Sequence, residues 1–153
     1  MKRYSTLFLG LSILLLNACQ SKTTTQESKL PIEGTWKLLT GTIIEKGDTT
    51  ITSYTENVSF IKIINGTHFA FLKHPLPNNT DSTATFDAGG GSYTLKDSTY
   101  TEHLEYYKLK EWENNKFEFT VTIKNDTLIQ KGIEKVEKAG IERLNIEKYV
   151  RVK

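Results

Sequence analysis

The chain contains very little cysteine and proline, and its charges are nearly balanced. One cysteine, three prolines and three histidines occur in 153 residues. A single cysteine excludes a disulfide framework within the chain. Lys and Arg number 20 against 18 Asp and Glu, and two of the cations, Lys2 and Arg3, lie at the extreme N-terminus. The remainder is neutral and has no basic footprint, so nucleic acid is not expected as a partner.

Long apolar runs are also missing. The longest covers residues 7–16 and is interrupted by Gly10 and Ser12. About ten residues are too few to span a bilayer, which takes roughly 20. Together with Lys2 and Arg3 before it, the run is typical of a signal peptide. The sequence Leu-Asn-Ala-Cys that ends at Cys19 resembles the lipobox of bacterial lipoproteins, in which the cysteine is acylated after cleavage.

The lipobox resemblance implies a layout for the whole chain. Residues 1–18 are the signal peptide, residues 19–32 a lipidated flexible tether, and residues 33–153 a folded domain. An acylated Cys19 makes the membrane a partner, since two or more acyl chains give stable anchoring. Gln20 follows the cysteine, which by the rule of that family favours the outer membrane over the inner one. We therefore expect an outer-membrane lipoprotein of the cell envelope that faces the periplasm.

Alternation with a period of two residues dominates the expected domain. Phe117, Phe119 and Val121 alternate with polar residues, as in a half-buried strand. Asn65 and Gly66 separate two such runs and are typical of a hairpin turn. Many short strands joined by short turns predict an all-β, antiparallel up-and-down barrel of about eight or nine strands, because closure removes exposed edges. The predicted strands cover residues 36–45, 49–55, 58–64, 67–73, 92–95, 98–107, 116–123, 127–131 and 146–152.

Residues 74–91 depart from this alternation. Pro75 and Pro77 cannot donate to a strand ladder, which argues against an interior strand here. The three glycines at positions 89–91 predict a bulge, or a bend where the sheet turns a corner. A phosphate-cradling loop is the alternative, but neither a Lys-Ser/Thr pair nor a helical pattern follows the glycines.

The two ends of the domain carry a family resemblance. The sequence Gly-Thr-Trp at residues 34–36 resembles the Gly-x-Trp signature of lipocalins and their fatty-acid-binding relatives. Tyr-Val-Arg-Val-Lys at residues 149–153 is similar to their final strand, in which an arginine packs across the tryptophan. The resemblance implies a lipocalin-like, calycin-type barrel closed by Trp36 and Arg151 through a cation–π contact. Arg143 is the alternative partner of the tryptophan.

The middle of the chain extends the resemblance. Residues 65–71 and 100–106 are similar to a family of lipocalin-like lipoproteins of Gram-negative bacteria to which no function is assigned. Some relatives bind a carboxylate through an Arg and a Tyr two positions apart on the last strand. Tyr149 and Arg151 stand in the reverse order here, which favours the barrel-closing role for the arginine over a fatty-acid role.

The aromatic residues carry the functional prediction. An eight-stranded barrel holds either packed side chains or one small ligand. Most of the aromatics are expected in the core, and a few near one mouth would line a pocket for a small apolar or amphipathic ligand. His103 or Glu105 would be its polar handle. The alternative is a filled barrel that serves as a structural or protein-interaction module of the envelope. The predicted pocket residues are Phe69, Phe71, Tyr93, Tyr100, His103, Glu105, Tyr106 and Trp112.

Metal binding and catalysis have weaker support. His103 and Glu105 lie on one face of a predicted strand, and His68 on a neighbouring hairpin could add a third ligand. A solvent-facing histidine is the commoner explanation, so no metal or other cofactor is expected. Glu102 and Glu105 point to opposite faces and make a poor acid–base pair. No serine or threonine occurs in a nucleophile-elbow context, and no catalytic residue is assigned.

Overall fold

The computed structural model describes residues 31–153. The predicted signal peptide, Cys19 and all but the last two tether residues lie outside this range. The described part has one short 3₁₀ turn, Glu137–Ala139, and none of its helical segments is long and apolar enough to cross a membrane. Its strands are β1 (Gly34–Glu45), β2 (Asp48–Ser53), β3 (Val58–Ile64), β4 (His68–Pro75), β5 (Asp87–Lys96), β6 (Thr99–Tyr107), β7 (Asn115–Lys124), β8 (Thr127–Val136) and β9 (Ile141–Arg151).

Eight of these strands form a closed antiparallel barrel. The order runs β1-β3-β4-β5-β6-β7-β8-β9, and β9 pairs back with β1. The remaining strand, β2, pairs with residues 40–45 of β1 on the same edge that β3 occupies at residues 34–37. All six residues of β2 are exposed, so β2 extends one wall beyond the closed barrel. The predicted antiparallel barrel is confirmed.

The hairpin turns form in two ways. Asn125 and Asp126 both have a positive φ, of 48° and 60°, as a two-residue turn between twisted strands requires. Neither Asn65 nor Gly66 has a positive φ. Instead, the Asn65 side-chain oxygen accepts the backbone N–H groups of Thr67 and His68 at 2.9 and 2.8 Å. This is an Asx-type turn, in which the side chain stands in for a backbone acceptor.

Three strands are longer than the alternation predicts. β5 begins at Asp87 rather than residue 92, so the three glycines lie inside the strand. β8 continues to Val136 and β9 begins at Ile141. In this added part of β8, Glu134 faces the barrel interior while Ile133 is 52% exposed. At these two positions the apolar residue points outward and the charged residue points inward, because the interior of the barrel near the end of β8 is polar.

Apolar side chains fill one end of the barrel. Trp36, Leu38, Tyr100, Leu128 and Tyr149 are each at most 1% exposed and pack in one core cluster. The N-terminal segment enters at this end, which we call the closed end. The opposite end, where β1 finishes and β9 begins, is the mouth.

The closed end is held by Trp36 and Arg151. The guanidinium carbon of Arg151 lies 4.1 Å from the centre of the Trp36 ring, within the range of a cation–π contact. The same guanidinium donates hydrogen bonds of 2.7 and 2.5 Å to the carbonyls of Glu33 and Pro31. The indole N–H of Trp36 donates to the carbonyl of Ile32 at 2.7 Å. Arg151 therefore ties the chain entering the barrel to the last strand.

Two β-bulges lie halfway along the barrel. In β1 the pairing with β9 shifts between Leu38 and Thr40. In β6 the pairing with β5 shifts between Leu104 and Tyr106, which leaves Glu105 as the extra residue. A bulge reverses which side chains point inward. Both shifts fall where the filled half of the barrel gives way to an open half.

Candidate ligand-binding cavity

The mouth half of the barrel encloses a cavity of about 410 Å³. This volume falls within the range of roughly 300–1,000 Å³ that small-molecule sites occupy. The bulge in β1 turns Gly41 and Ile43 toward it, and the bulge in β6 does the same for Tyr107. The cavity is therefore built by the register of the strands, with the closed-end core as its floor.

One wall of the cavity is a continuous series of aromatic rings, which we call the aromatic wall. Neighbouring ring centres are 5.4 to 6.2 Å apart, in tilted or edge-to-face arrangements. Such geometries are favoured over face-to-face stacking. The wall presents ring faces and edges to anything in the cavity. Its members, in order around the barrel, are Tyr54, Phe60, Phe71, Tyr107, Trp112 and Phe117.

The glycines of β5 make space for this wall. The ring of Phe71 lies across Gly89, and a Cβ added to Gly89 would be only 2.5 Å from that ring. Any larger residue at position 89 would have to displace Phe71. The glycines of β5 thus let the aromatic wall continue from β4 to β6 without an intervening β5 side chain.

The opposite wall, formed by β8 and β9, is polar. The guanidinium of Arg143 contacts the Glu134 carboxylate at 2.7 Å, and the Asn145 amide donates to the other carboxylate oxygen at 2.8 Å. Arg143 also lies 5.3 Å from the centre of the Trp112 ring. It therefore joins the polar wall to the aromatic wall near the mouth.

The ammonium of Lys62 is buried at the floor of the cavity. It donates to Glu102 at 2.7 Å and to the Gln130 side chain at 3.1 Å, and it lies 3.8 Å from Glu147. It also lies 5.5 Å from the centre of the Tyr149 ring. The Lys62 and Glu102 side chains are 4% and 9% exposed. One buried ammonium is thus shared between two carboxylates.

Burial and neighbouring charges set the protonation of the side chains at the cavity floor, Lys62, Glu102 and Tyr149. Burial opposes the charge on Lys62, but the carboxylates of Glu102 and Glu147 outweigh it and raise the pKa of Lys62. Burial raises the pKa of Glu102 above its usual value despite the adjacent ammonium. Burial, reinforced by Glu147, also holds the pKa of Tyr149 far above its ordinary value. Tyr149 therefore stays neutral and donates to Glu147 at 2.8 Å.

A third set of charges lies at the mouth. Asp87 is 3.1 Å from the ammonium of Lys108 and accepts from the Tyr107 hydroxyl at 3.3 Å. Burial and the Asp87 carboxylate raise the pKa of Tyr107 to about 12. Lys73, next to Asp87 in the strand pairing, also lines the cavity.

The structure places the predicted pocket residues in three locations. Phe71 and Trp112 line the cavity. Phe69 and Tyr100 are buried in the closed-end core, and Tyr93 packs against Tyr100 with ring centres 5.1 Å apart. The other three, His103, Glu105 and Tyr106, lie on the outside of the barrel.

The polar handle is the main correction. Tyr100, Glu102 and Leu104 form the inward face of β6, so Glu102 and not Glu105 reaches the interior. Glu105 instead accepts from the backbone N–H and hydroxyl of Ser92 and lies 3.4 Å from His103 on the outer surface. Hydrogen bonds from Ser92 lower the pKa of Glu105. Within residues 31–153 no group of three His, Cys, Asp or Glu side chains is arranged to hold a metal.

The sequence analysis missed the polar residues of the interior. Lys62 lies in the run Phe-Ile-Lys-Ile-Ile, which is apolar on both faces, so alternation alone does not show which face is inside. A signal was present: Glu102 is in phase with Tyr100, and Glu147 is in phase with Tyr149. A charge in phase with a core aromatic indicates a polar barrel interior.

No protein-family model and no curated protein matches this chain. Among solved structures it is similar to an uncharacterised protein from Bacteroides eggerthii DSM 20697, known from a crystal structure at 2.60 Å resolution. The two chains are 11% identical with a TM-score of 0.47, and the match covers 78% of this chain and 98% of the other. A likeness this distant carries no function to this chain.

Proposed function

We propose that the protein binds one small amphipathic molecule in the mouth half of the barrel. The observation that carries this proposal is the cavity of about 410 Å³ between an aromatic wall and a polar wall. Such a cavity suits a ligand with an apolar or ring-shaped body and a polar edge, because apolar lining supplies affinity and a few fixed polar groups supply orientation. The Gly-x-Trp resemblance to lipocalins supports the same function.

The alternative of a structural module requires a filled barrel. The closed end is filled, but the mouth half leaves Lys62, Glu134 and Glu147 around open space. Removing charged groups from water is costly even when they are paired. An envelope module without a ligand has no evident use for this arrangement, so binding is the better account.

The direction of the mouth bears on how a ligand would enter. Residue 31 joins the barrel at the closed end, beside Arg151. A tether anchored at Cys19, as the lipobox resemblance implies, would thus attach at the end opposite the mouth. Entry from the aqueous side then needs no movement of the tether.

A fluorescence titration with N-phenyl-1-naphthylamine, a neutral aromatic probe, tests the proposal. We expect wild type to bind it with enhanced emission. Ile43→Trp, which places a large ring in the cavity, should weaken binding at least about tenfold. Ile51→Trp is the matched control, because Ile51 is 70% exposed on β2. Equal binding by all three proteins, or none by wild type, would contradict binding in the barrel.

A further inference from the structure

The floor of the cavity carries an excess of negative charge. Glu102 and Glu147 share the single ammonium of Lys62 there, whereas Glu134 is paired with Arg143 and, at the mouth, Asp87 is paired with Lys108. No histidine lines the cavity. A buried cluster in a low dielectric tolerates a net charge poorly. A ligand that enters such a site is favoured when it supplies the missing charge.

The less compensated of the two floor carboxylates is Glu147. Glu134 is bound by Arg143 and Asn145, both within 2.8 Å. Glu102 holds the Lys62 ammonium at 2.7 Å, which leaves Glu147 at 3.8 Å from the same ammonium. Within residues 31–153, its one hydrogen-bond donor is the neutral Tyr149 hydroxyl. The excess charge therefore lies at the deep end of the cavity.

Glu147 is also accessible from the cavity. Its side chain is 16% exposed, against 9% for Glu102. Tyr54, at the start of the aromatic wall, lines the same cavity, and the Tyr149 phenol donates to Glu147 at 2.8 Å. A cation beside Glu147 would therefore share the cavity with aromatic rings, whose faces attract cations.

A buried phenol lies near the same floor. Tyr100 is fully buried on the inward face of β6, together with Glu102. Burial, reinforced by the Glu102 carboxylate, raises the pKa of Tyr100 far above its ordinary value. The phenol therefore stays neutral and does not offset the charge of the two carboxylates.

We propose that the ligand is a small amine with an aromatic or apolar body, and that Glu147 receives its ammonium group. This inference rests on the proposed function and specifies the class of ligand. The body lies against the aromatic wall, and the ammonium points to the polar floor. An anionic ligand is disfavoured because Lys62 and Arg143 already hold carboxylates at 2.7 Å and Lys73, the third cation of the lining, lies at the mouth opposite Asp87.

Three probes with one indole ring test the charge preference by calorimetry at pH 7. Tryptamine is the cation, 3-ethylindole the neutral analogue and indole-3-propionate the anion. We expect wild type to bind tryptamine at least about tenfold more tightly than 3-ethylindole, because hydrogen bonds to charged groups are the strong ones. Glu147→Gln should remove this preference and leave the binding of 3-ethylindole nearly unchanged.

The control is Glu142→Gln, which removes an exposed carboxylate from the same strand and should retain the preference. Wild type alone also tests the inference, should Glu147→Gln fail to fold. Equal binding of tryptamine and 3-ethylindole, or tightest binding of the anion (through Lys73), would overturn the amine assignment and leave cavity binding intact. Failure of all three probes to bind would instead count against the proposed function.

Discussion

At the scale of single residues, Lys62 is the most unusual feature of the barrel. It is a charged side chain at a position where β3 otherwise points Phe60 and Ile64 inward. Its burial is tolerated because Glu102, Gln130 and Glu147 surround it. Two carboxylates on one ammonium make the cluster asymmetric, since loss of the cation harms it more than loss of one anion.

This asymmetry gives a stability prediction. Lys62→Met leaves two buried carboxylates without a cation, and we expect it to lower the free energy of unfolding by about 3–5 kcal/mol. Glu102→Gln keeps an acceptor for Lys62 and leaves Glu147 as its counter-ion, so its cost should be smaller. Urea unfolding of both variants measures the difference. Glu118→Gln, an exposed position on β7, is the control. A larger loss for Glu102→Gln would contradict the shared-ammonium description.

At the scale of elements, the β5–β6 pair sets the shape of the cavity. The bulge at Glu105 lets both Leu104 and Tyr107 point inward. Gly91 lies opposite this bulge, and a Cβ there would overlap the His103 carbonyl and approach the Glu105 amide. The glycine is therefore needed for close approach of two backbones, which side-chain packing cannot relieve.

Gly91→Ala is accordingly expected to be costly. Overpacking of a fitted interior typically costs about 1–3 kcal/mol, and backbone atoms yield less than side chains. Gly66→Ala is a matched control, because the nearest atom to its added Cβ is an exposed Glu33 side chain at 3.9 Å. Chemical unfolding should show a clear loss for the first variant and almost none for the second. Equal stability of the two would refute the close approach at the bulge.

The strands also show how much of the fold and of the cavity lining can be predicted from the sequence. Alternation in residues 116–123 and the turn at Asn125 and Asp126 identified β7, β8 and their hairpin, because one face there is wholly apolar. The same method ended β8 early, since Glu134 points inward. It also put Glu105 in the pocket, because a one-residue bulge leaves no mark on alternation. Pairing across strands, which decides both cases, is a non-local property.

At the scale of the whole molecule, the barrel is divided into a filled half and an open half. The filled half contains Trp36 and is tied to the incoming chain by Arg151. The open half contains Trp112, in contact with Arg143 at the mouth. Under the proposed function, binding belongs to the open half and the filled half maintains the fold. Substitutions in the open half are then expected to change what is bound while the closed-end core keeps the barrel intact.

The two tryptophans allow a direct test of this division, since the chain contains only these two. Each gives one indole N–H signal in an ¹⁵N-correlated NMR spectrum, and Trp112→Phe assigns them. On titration with N-phenyl-1-naphthylamine, we predict that the Trp112 signal shifts and the Trp36 signal, held by its hydrogen bond to Ile32, does not. A probe that binds without moving the Trp112 signal, or that moves only Trp36, would contradict ligand binding in the mouth half of the barrel.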